Sequence, residues 1–298
     1  MMVPVLLGVL FIIFTLTYVA PGDPASIILG EAASQDALNE VREELGLNDP
    51  FLVQFARFAL NLVMLDFGTS WNTGRPIIED LAARFPTTAQ LAFMGTLLAV
   101  LMGIPLGIIS ATRQYSIFDA GATFLALLGA SIPNFWLGMM LITWFTVGLN
   151  WLPPSGFATP LHWIMPTIAI GTSGAAIIMR MTRSSMLEVI RQDYIRTAKA
   201  KGQTESKIIF KHALKNALIP VMTVVGLQIG FLLGGAVITE SIFSIPGIGT
   251  YMISAIGQRD RPIIISSVIV LAVIFSFVNL LVDILYAYVD PRIRSQYK

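Results

Sequence analysis

Six apolar stretches, each long enough to cross a lipid bilayer as a helix, constrain this chain more than any other feature. A helix needs about 20 largely apolar residues to cross a hydrocarbon core of about 30 Å. Hydrophobic residues make up 55% of the 298 residues, charged residues make up 12%, and the mean hydropathy is +0.75. Such a composition excludes an ordinary soluble domain. We therefore predict an all-α integral membrane protein with six transmembrane helices, at residues 3–20, 86–111, 118–149, 164–181, 217–238 and 262–288.

Two of these stretches need comment. We expect residues 3–20 to be an uncleaved helix, because Met1 and Met2 offer no basic segment and Pro21 follows without a small-residue cleavage site. A cleaved signal peptide is the alternative. Residues 118–149 contain Pro133 followed by Asn134, so we expect this helix to be interrupted there.

The chain divides into a first helix at 1–20, an insertion at 21–85 and a five-helix core at 86–298. The insertion is acidic, with ten Asp or Glu against four Arg. Ser34 is a predicted N-cap for a helix that ends before Gly46, and a second helix after Pro50 places three phenylalanines on one side. The acidic surface is either a docking face for a partner protein or a solvated surface, and the sequence leaves both open.

The distribution of Lys and Arg predicts the orientation. If the segments after the second and fourth stretches lie on the same side as the C-terminus, that side holds thirteen of the 19 basic residues when Arg180, at the end of the fourth stretch, is counted with it. Basic residues concentrate on the cytoplasmic side of membrane proteins. We therefore expect both termini, and the coupling helices predicted below at about 186–216, in the cytoplasm.

A polar segment, residues 193–220, separates the fourth and fifth apolar stretches and carries six Lys or Arg residues. Helix-forming residues over 186–201 predict one helix that ends at Gly202, and Thr204 is a predicted N-cap for a second short helix. On this second helix Lys207, Lys211 and Lys215 recur every four residues, which predicts that they share one face. That face is expected to contact either lipid phosphates or a soluble partner. The opposite, apolar face is formed by Ile209, Ala213 and Ala217, flanked by Phe210 and Leu214.

The sequence lacks the residues that several kinds of chemistry require. No Walker A phosphate loop is present, and the chain has no Cys and only two His residues, His162 and His212. We predict no catalytic, cofactor-binding or metal site, and no nucleic-acid partner. An ion-coupled secondary transporter is the alternative of another class, with Glu240, Asp283 and Arg180 as the ionisable candidates.

The motifs TRSSMLEVI, DYIRTAKAKG, HALKNALIPV and TESIFSIPGIG resemble segments of bacterial ABC-importer permeases. DYIRTAKAKG resembles the cytoplasmic coupling motif, called the EAA motif, in the version found in the peptide and nickel branch. Arg196 and Thr197 depart from the general motif, which has Glu and Ala there. The resemblance implies the type I importer permease fold, with an extracytoplasmic helical insertion, in the bacterial inner membrane.

It also implies the partners and the substrate. These are a second homologous permease, two ABC ATPases that bind ATP and Mg, an extracytoplasmic substrate-binding protein and the lipid bilayer. Short peptides are the first substrate class, with a nickel chelate or glutathione as the alternative. The ATPase-coupling residues are Asp193, Tyr194, Arg196, Thr197, Ala198, Lys199, Ala200, Lys201 and Gly202. We expect Ala198, Ala200 and Gly202 to be small so that the ATPase can approach closely.

The remaining predictions concern the spans themselves. Gly103 and Gly107 of the second span have the spacing that lets helices approach closely, and so do Gly226, Gly230 and Gly234 of the fifth. Gln228 points away from the second glycine stripe. We consider Gln228 and Glu240 candidate residues of the translocation pathway, with a hydrogen bond to a neighbouring helix as the alternative for Gln228.

Overall fold

The computed structural model describes residues 2–30 and 32–289, without the side chains of residues 235, 283 and 285–289. This part of the chain is almost entirely helical, as predicted, and its only β contact is an isolated bridge between Thr69 and Pro76. The helices are α1 (Met2–Val19), α2 (Pro24–Leu29), α3 (Gln35–Glu44), α4 (Phe51–Val63), α5 (Ile77–Thr112), α6 (Ile117–Ser131), α7 (Asn134–Leu141), α8 (Pro160–Ile190), α9 (Asp193–Ala200), α10 (Glu205–Lys207), α11 (Leu214–Gly235), α12 (Val237–Ile242), α13 (Ile248–Gln258) and α14 (Arg261–Val289).

Five of the described helical stretches are long and apolar enough to cross a membrane, and a bent pair of helices makes a sixth candidate. The pair is Ile117–Ser131 with Asn134–Gly148, bent by 98°. The predicted interruption at Pro133 is confirmed, since Pro133 is extended and α7 begins immediately after it. Residues 142–148 continue α7 as a π-helix.

The second span begins earlier than predicted. Helix α5 runs over 36 residues from Ile77, so its first residues lie within the predicted insertion at 21–85. Glu79 and Asp80 lie in its first turn, where the helix dipole favours acidic side chains. The apolar pattern alone marked only the part of this helix that is hydrophobic enough for lipid.

The chain forms two compact units, and the first contains residues 2–88 and 246–274. Here the predicted phenylalanine face of α4 packs on α1: the Phe14 ring centroid lies 5.5 Å from those of Phe51 and Phe55. Ser34 caps α3, as predicted, by accepting from Ala37 N at 3.3 Å. Arg42 donates to Asp23 Oδ2 at 2.8 Å and lowers the pKa of this carboxyl, so the pair stays charged at neutral pH.

The second unit contains residues 89–245 and 275–289, and α8 is its central helix, packed against α6, α7 and α11. The predicted close approach at Gly103 and Gly107 is confirmed. A Cβ at Gly103 would lie 2.8 Å from the Ala175 carbonyl oxygen, and one at Gly107 would lie 2.8 Å from that of Met179. Only glycine lets α5 and α8 pack this tightly at those positions.

Candidate functional site

The predicted coupling segment lies in the second unit, and its first part differs from the prediction. The expected single helix over 186–201 is two helices, because α8 ends at Ile190 and α9 begins at Asp193. Gln192 between them is extended, with φ −71° and ψ 150°. The break lets α9 fold back so that its apolar residues meet a buried cluster, an advantage that local helix propensity does not reveal.

The inner face of α9 is formed by Ile195, which is fully buried, and Ala198, which is 9% exposed. Both belong to one apolar cluster with residues of α5, α8 and the helical stretch that leads into α11: Ala111, Met186, Ile208, Ala213 and Ala217. Ala198 is thus small because it packs inside its own chain. The contact with an ATPase predicted for Ala198 stays a prediction, and the structure gives its small side chain a packing role instead.

The outer face of α9 is exposed and contains the other residues predicted for coupling. Tyr194 is 43% exposed, and its hydroxyl accepts from Asn216 Nδ2 at 2.7 Å. Arg196 and Asp193 form an ion pair at 3.5 Å with both side chains largely in solvent. The exposed residues are Asp193, Tyr194, Arg196, Thr197, Lys199, Ala200, Lys201 and Gly202.

Gly202 ends this element in the left-handed conformation, with φ +74°. Its N–H donates to the Lys199 carbonyl at 2.9 Å, and Gln203 N donates to the Ala198 carbonyl at 3.3 Å, which satisfies the last carbonyls of the helix. A Cβ at Gly202 would meet no atom of the described chain within 4 Å. Glycine is therefore required here by its conformation, and the surface around it is open.

The second predicted helix is not a separate short element. Helix α10, a π-helical segment at Ile208–Ala213 and α11 form one continuous helical stretch through Pro220, which the structure defines as an apolar span over Glu205–Gly234. Thr204 precedes it in an extended conformation but makes no side-chain cap.

The faces of this stretch match the prediction in part. Lys207, Lys211 and Lys215 are exposed, and Ala213 and Ala217 are buried. Phe210, expected beside the packing face, is instead 59% exposed, and Ile208 is buried in its place. The π-helical turn explains this change, because a residue inserted into the helix rotates the following side chains.

A buried ion pair next to this segment was missed at the sequence level. Asp119 at the start of α6 accepts from Arg183 of α8 through both carboxylate oxygens, at 2.9 Å each. Ser110 Oγ donates to Asp119 Oδ1 at 2.5 Å and Tyr115 N donates to Oδ2 at 3.0 Å. The cluster ties α5, α6 and α8 together. Its signal in the sequence was a lone acid near the start of an apolar stretch and an arginine within TRSSMLEVI.

The glycine stripe of α11 packs at two of its three positions. A Cβ at Gly226 would clash with the Val282 side chain of α14, and one at Gly230 would lie 3.0 Å from Phe275. At Gly234 no atom of the described chain lies within 4 Å of that position. The close approach expected at Gly234 is therefore absent among the described residues.

The two candidate pathway residues are both buried. Gln228 is 8% exposed, and its amide lies against α8, where a Cβ at Gly174 would be 2.7 Å from Nε2. Gln228 makes no side-chain hydrogen bond with any described residue, so the alternative of a hydrogen bond to a neighbouring helix is not seen among these residues. Glu240 is fully buried in α12. Of the ionisable candidates for ion coupling, Arg180 is exposed, and the Asp283 side chain lies outside the described residues.

Two family descriptions match the chain. Residues 103–295 match the family described as binding-protein-dependent transport system inner membrane component, and residues 1–92 match its N-terminal membrane component. The chain belongs to this permease family. The resemblance drawn from the coupling motif is confirmed, and the protein is a multi-pass transport permease of the plasma membrane.

Curated relatives align with the permease over nearly its whole length. The dipeptide transport system permease protein DppB of Alkalihalophilus pseudofirmus is 46% identical over 99% of this chain and 97% of its own. The oligopeptide transport system permease protein AppB of Bacillus subtilis is 43% identical over 98% of this chain and 96% of its own. The glutathione transport system permease protein GsiC of Pectobacterium atrosepticum is 42% identical, with the same coverage. The ion-coupled alternative is not favoured by these relatives.

Solved structures share the permease fold. An inward-facing form of the MetNI methionine ABC transporter matches with a TM-score of 0.61 and 19% identity, over 72% of this chain and 99% of that one. An amino acid ABC transporter matches with a TM-score of 0.53 and 15% identity, over 72% of this chain and 94% of that one. The fold class predicted from the coupling motif, that of type I importer permeases, is thereby confirmed.

Replacing Gly226 by Leu is expected to destabilise the permease, because the new side chain collides with Val282 in a tightly packed interface. Overpacking of this kind costs about 1–3 kcal/mol. Gly234→Leu is the matched control, since it lies on the same predicted stripe in open space, and we expect a much smaller change. The melting temperature of the purified permease in detergent measures both. Equal destabilisation by the two variants would contradict the packing seen at Gly226.

Proposed function

We propose that this permease forms half of the transmembrane pathway of an ATP-driven importer of short peptides, and that ATPase subunits act on it through the outer face of α9. The observation that carries this proposal is the two-sided character of α9. Its inner residues Ile195 and Ala198 share a buried cluster with α5, α8 and the start of the α11 stretch, while its outer residues are exposed. A partner that displaces the outer face of such a helix would also move the three spans that pack against its inner face.

The partners follow from the family. A substrate-binding protein and an ATPase belong to such systems, and we propose the full set of a second homologous permease, two ATPases that hold ATP and Mg, and one binding protein. Closure of the ATPases would move α9 as a rigid element, and the spans attached to it would switch between inward and outward access. We place α9 and both termini on the cytoplasmic side, as the distribution of Lys and Arg indicates.

The acidic insertion is a further part of the proposal. Helix α3 exposes Asp36, Glu40, Glu43 and Glu44 along its surface, while Leu38 is buried beneath. We propose that this face contacts the binding protein on the outer side of the membrane. Complementary charges at such a contact would accelerate association and make it sensitive to salt.

The test is transport by the reconstituted importer. The permease, assembled with its partner subunits in proteoliposomes, is expected to accumulate a labelled dipeptide only when ATP is inside with the ATPases and the binding protein is outside. Parallel assays with glutathione and a nickel chelate rank the substrate classes. Uptake of none of the three, with ATP hydrolysis present, would contradict the proposed function.

A further inference from the structure

A polar cavity of about 330 Å³ lies within the first unit, at the start of α5 and along α13. Charged and hydroxyl-bearing side chains form much of its wall, including Arg75, Asp80, Arg84, Tyr251 and Ser254. Its volume is at the lower end of the range of about 300–1,000 Å³ typical of small-molecule sites. The cavity could therefore hold a small polar molecule.

Asp80 in this cavity already has partners for both of its oxygens. Arg75 Nη2 lies 3.2 Å from Oδ1, and the Tyr251 hydroxyl donates to Oδ2 at 3.1 Å. Burial and the nearby Asp80 charge raise the pKa of Tyr251, so the phenol keeps its proton and remains a donor. The Asp80 carboxylate is thus neutralised by Arg75 and fixed by Tyr251.

Arg84 is the second cation in the wall of the cavity, and it does not share the Asp80 carboxylate with Arg75. Its guanidinium carbon lies 4.6 Å from the centroid of the Tyr251 ring, which supports it through a cation–π contact. Among the described residues, Arg84 has no carboxylate within ion-pair distance and its guanidinium makes no hydrogen bond. A guanidinium held by its face still presents its N–H groups at the edge, where they can bind a planar anion.

The nearby acid Asp260 is not the anion that pairs with Arg84. Asp260, the other carboxylate near Tyr251, is fully buried. Its Oδ2 accepts from Ser70 Oγ at 2.7 Å and from Asn72 N and Nδ2 at 3.2 Å each. Among the side chains that line the cavity, Arg75 and Arg84 are therefore the cations and Asp80 is the carboxylate, and Arg75 is the cation that pairs with Asp80.

From this geometry we infer that the cavity binds the terminal carboxylate of a short peptide, with Arg84 as the group that pairs with it. Arginine binds carboxylates through two parallel hydrogen bonds, and Tyr251 holds the guanidinium so that little side-chain freedom is lost on binding. The cavity is concave and Arg84 is half-buried within it, which suits a small ligand better than the flat surface of a protein. This inference rests on the proposed function, since it specifies how the same substrate class is recognised.

The test is equilibrium binding to the assembled complex in phosphatidylcholine nanodiscs, without the binding protein. Labelled L-alanyl-L-phenylalanine is displaced by the unlabelled peptide, by its C-terminal amide or by inorganic phosphate. We expect the free acid to displace about tenfold better than the amide, since the amide loses a charged hydrogen-bond pair. Arg84→Gln is expected to abolish that difference, and Arg84→Lys to retain part of it.

Arg113→Gln is the matched control, because the Arg113 guanidinium lies over the Phe118 ring at the same 4.6 Å, outside this cavity. It should keep the preference for the free acid. Co-purification of all subunits shows that each variant assembles. Equal displacement by acid and amide in the wild type, or an unchanged preference in Arg84→Gln, would overturn the inference. So would displacement by phosphate alone, which would assign the cavity to phosphate groups.

Variants of Tyr251 distinguish whether this residue positions Arg84 or binds the peptide itself. Tyr251→Phe keeps the ring under Arg84, so it should keep most of the preference for the free acid, whereas Tyr251→Leu removes the ring and should lose it. If wild-type importer took up no peptide, the proposed function would fail. If uptake were normal and Arg84→Gln bound the acid like the wild type, only the cavity inference would fail.

Discussion

An importer whose permease carries Gly202→Asp is expected to lose substrate-stimulated ATP hydrolysis and uptake by about tenfold or more, the effect of a lost central contact of about 1.4 kcal/mol. The position is exposed and no atom of the described chain lies within 4 Å of a Cβ there, so the added carboxylate points to where a partner would dock. It would also compete for the basic groups Lys199 and Lys201, which we propose face the ATPase.

Gly202→Asn is the matched control for charge. Asn and Asp have nearly the same size, and both tolerate the left-handed conformation at φ +74° better than other residues. Backbone strain of about 1 kcal/mol is therefore common to both variants. The difference between them, measured as ATP hydrolysis with and without loaded binding protein, reports the partner surface. If Asp and Asn behaved alike and both transported normally, the role of this turn in coupling would be wrong.

The structure also changes which alanine is suited to such an experiment. Ala198 and Ala200 are equivalent in the sequence pattern, but Ala198 is 9% exposed in the buried cluster and Ala200 is on the outer face. A large residue at Ala198 would disrupt the packing of its own chain, so a loss of transport there would say little about a partner. Ala200→Trp addresses the docking surface directly.

The spans were predictable because they depend on strong, local signals, whereas the branch of the family came from the resemblance of the coupling motif. A run of about 20 apolar residues can satisfy its backbone groups in lipid only as a helix, whatever surrounds it. The break at Pro133 and the left-handed turn at Gly202 follow from the restrictions on single residues. These features needed no knowledge of distant contacts.

The missed features depend on contacts between distant parts of the chain. The end of α8 at Ile190 and the burial of Ala198 come from the cluster that also contains Ala111 and Ala217. The pairing of Asp119 with Arg183 joins residues 64 positions apart. The sequence contained both charges, but nothing in their spacing showed that they meet, because helix packing rather than local propensity brings them together.

Removing one partner of that pair is expected to destabilise the permease strongly. Arg183→Met leaves the Asp119 carboxylate, 7% exposed, without its cation. Because the Arg183 side chain is itself 30% exposed, we expect a loss of about 1.5–3 kcal/mol, the contribution of hydrogen bonds to a charged group. The exposed pair Asp193 and Arg196 is the matched control: it has the same residue types at 3.5 Å, with 95% and 76% exposed side chains. Arg196→Met should change stability by about 1 kcal/mol or less. Thermal unfolding of the purified permease in detergent measures both.

The double variant Asp119→Leu with Arg183→Met decides what the buried pair contributes. Replacing both charges removes the unpaired carboxylate, and apolar replacements of buried pairs are often neutral. The Tyr115 N–H and Ser110 hydroxyl would lose their acceptor, however, which costs about 1–3 kcal/mol for each unsatisfied group. We therefore expect the double variant to be more stable than Arg183→Met but less stable than the wild type. A double variant as unstable as the single one would show that the pair itself, rather than the cost of an unpaired charge, holds α5, α6 and α8 together.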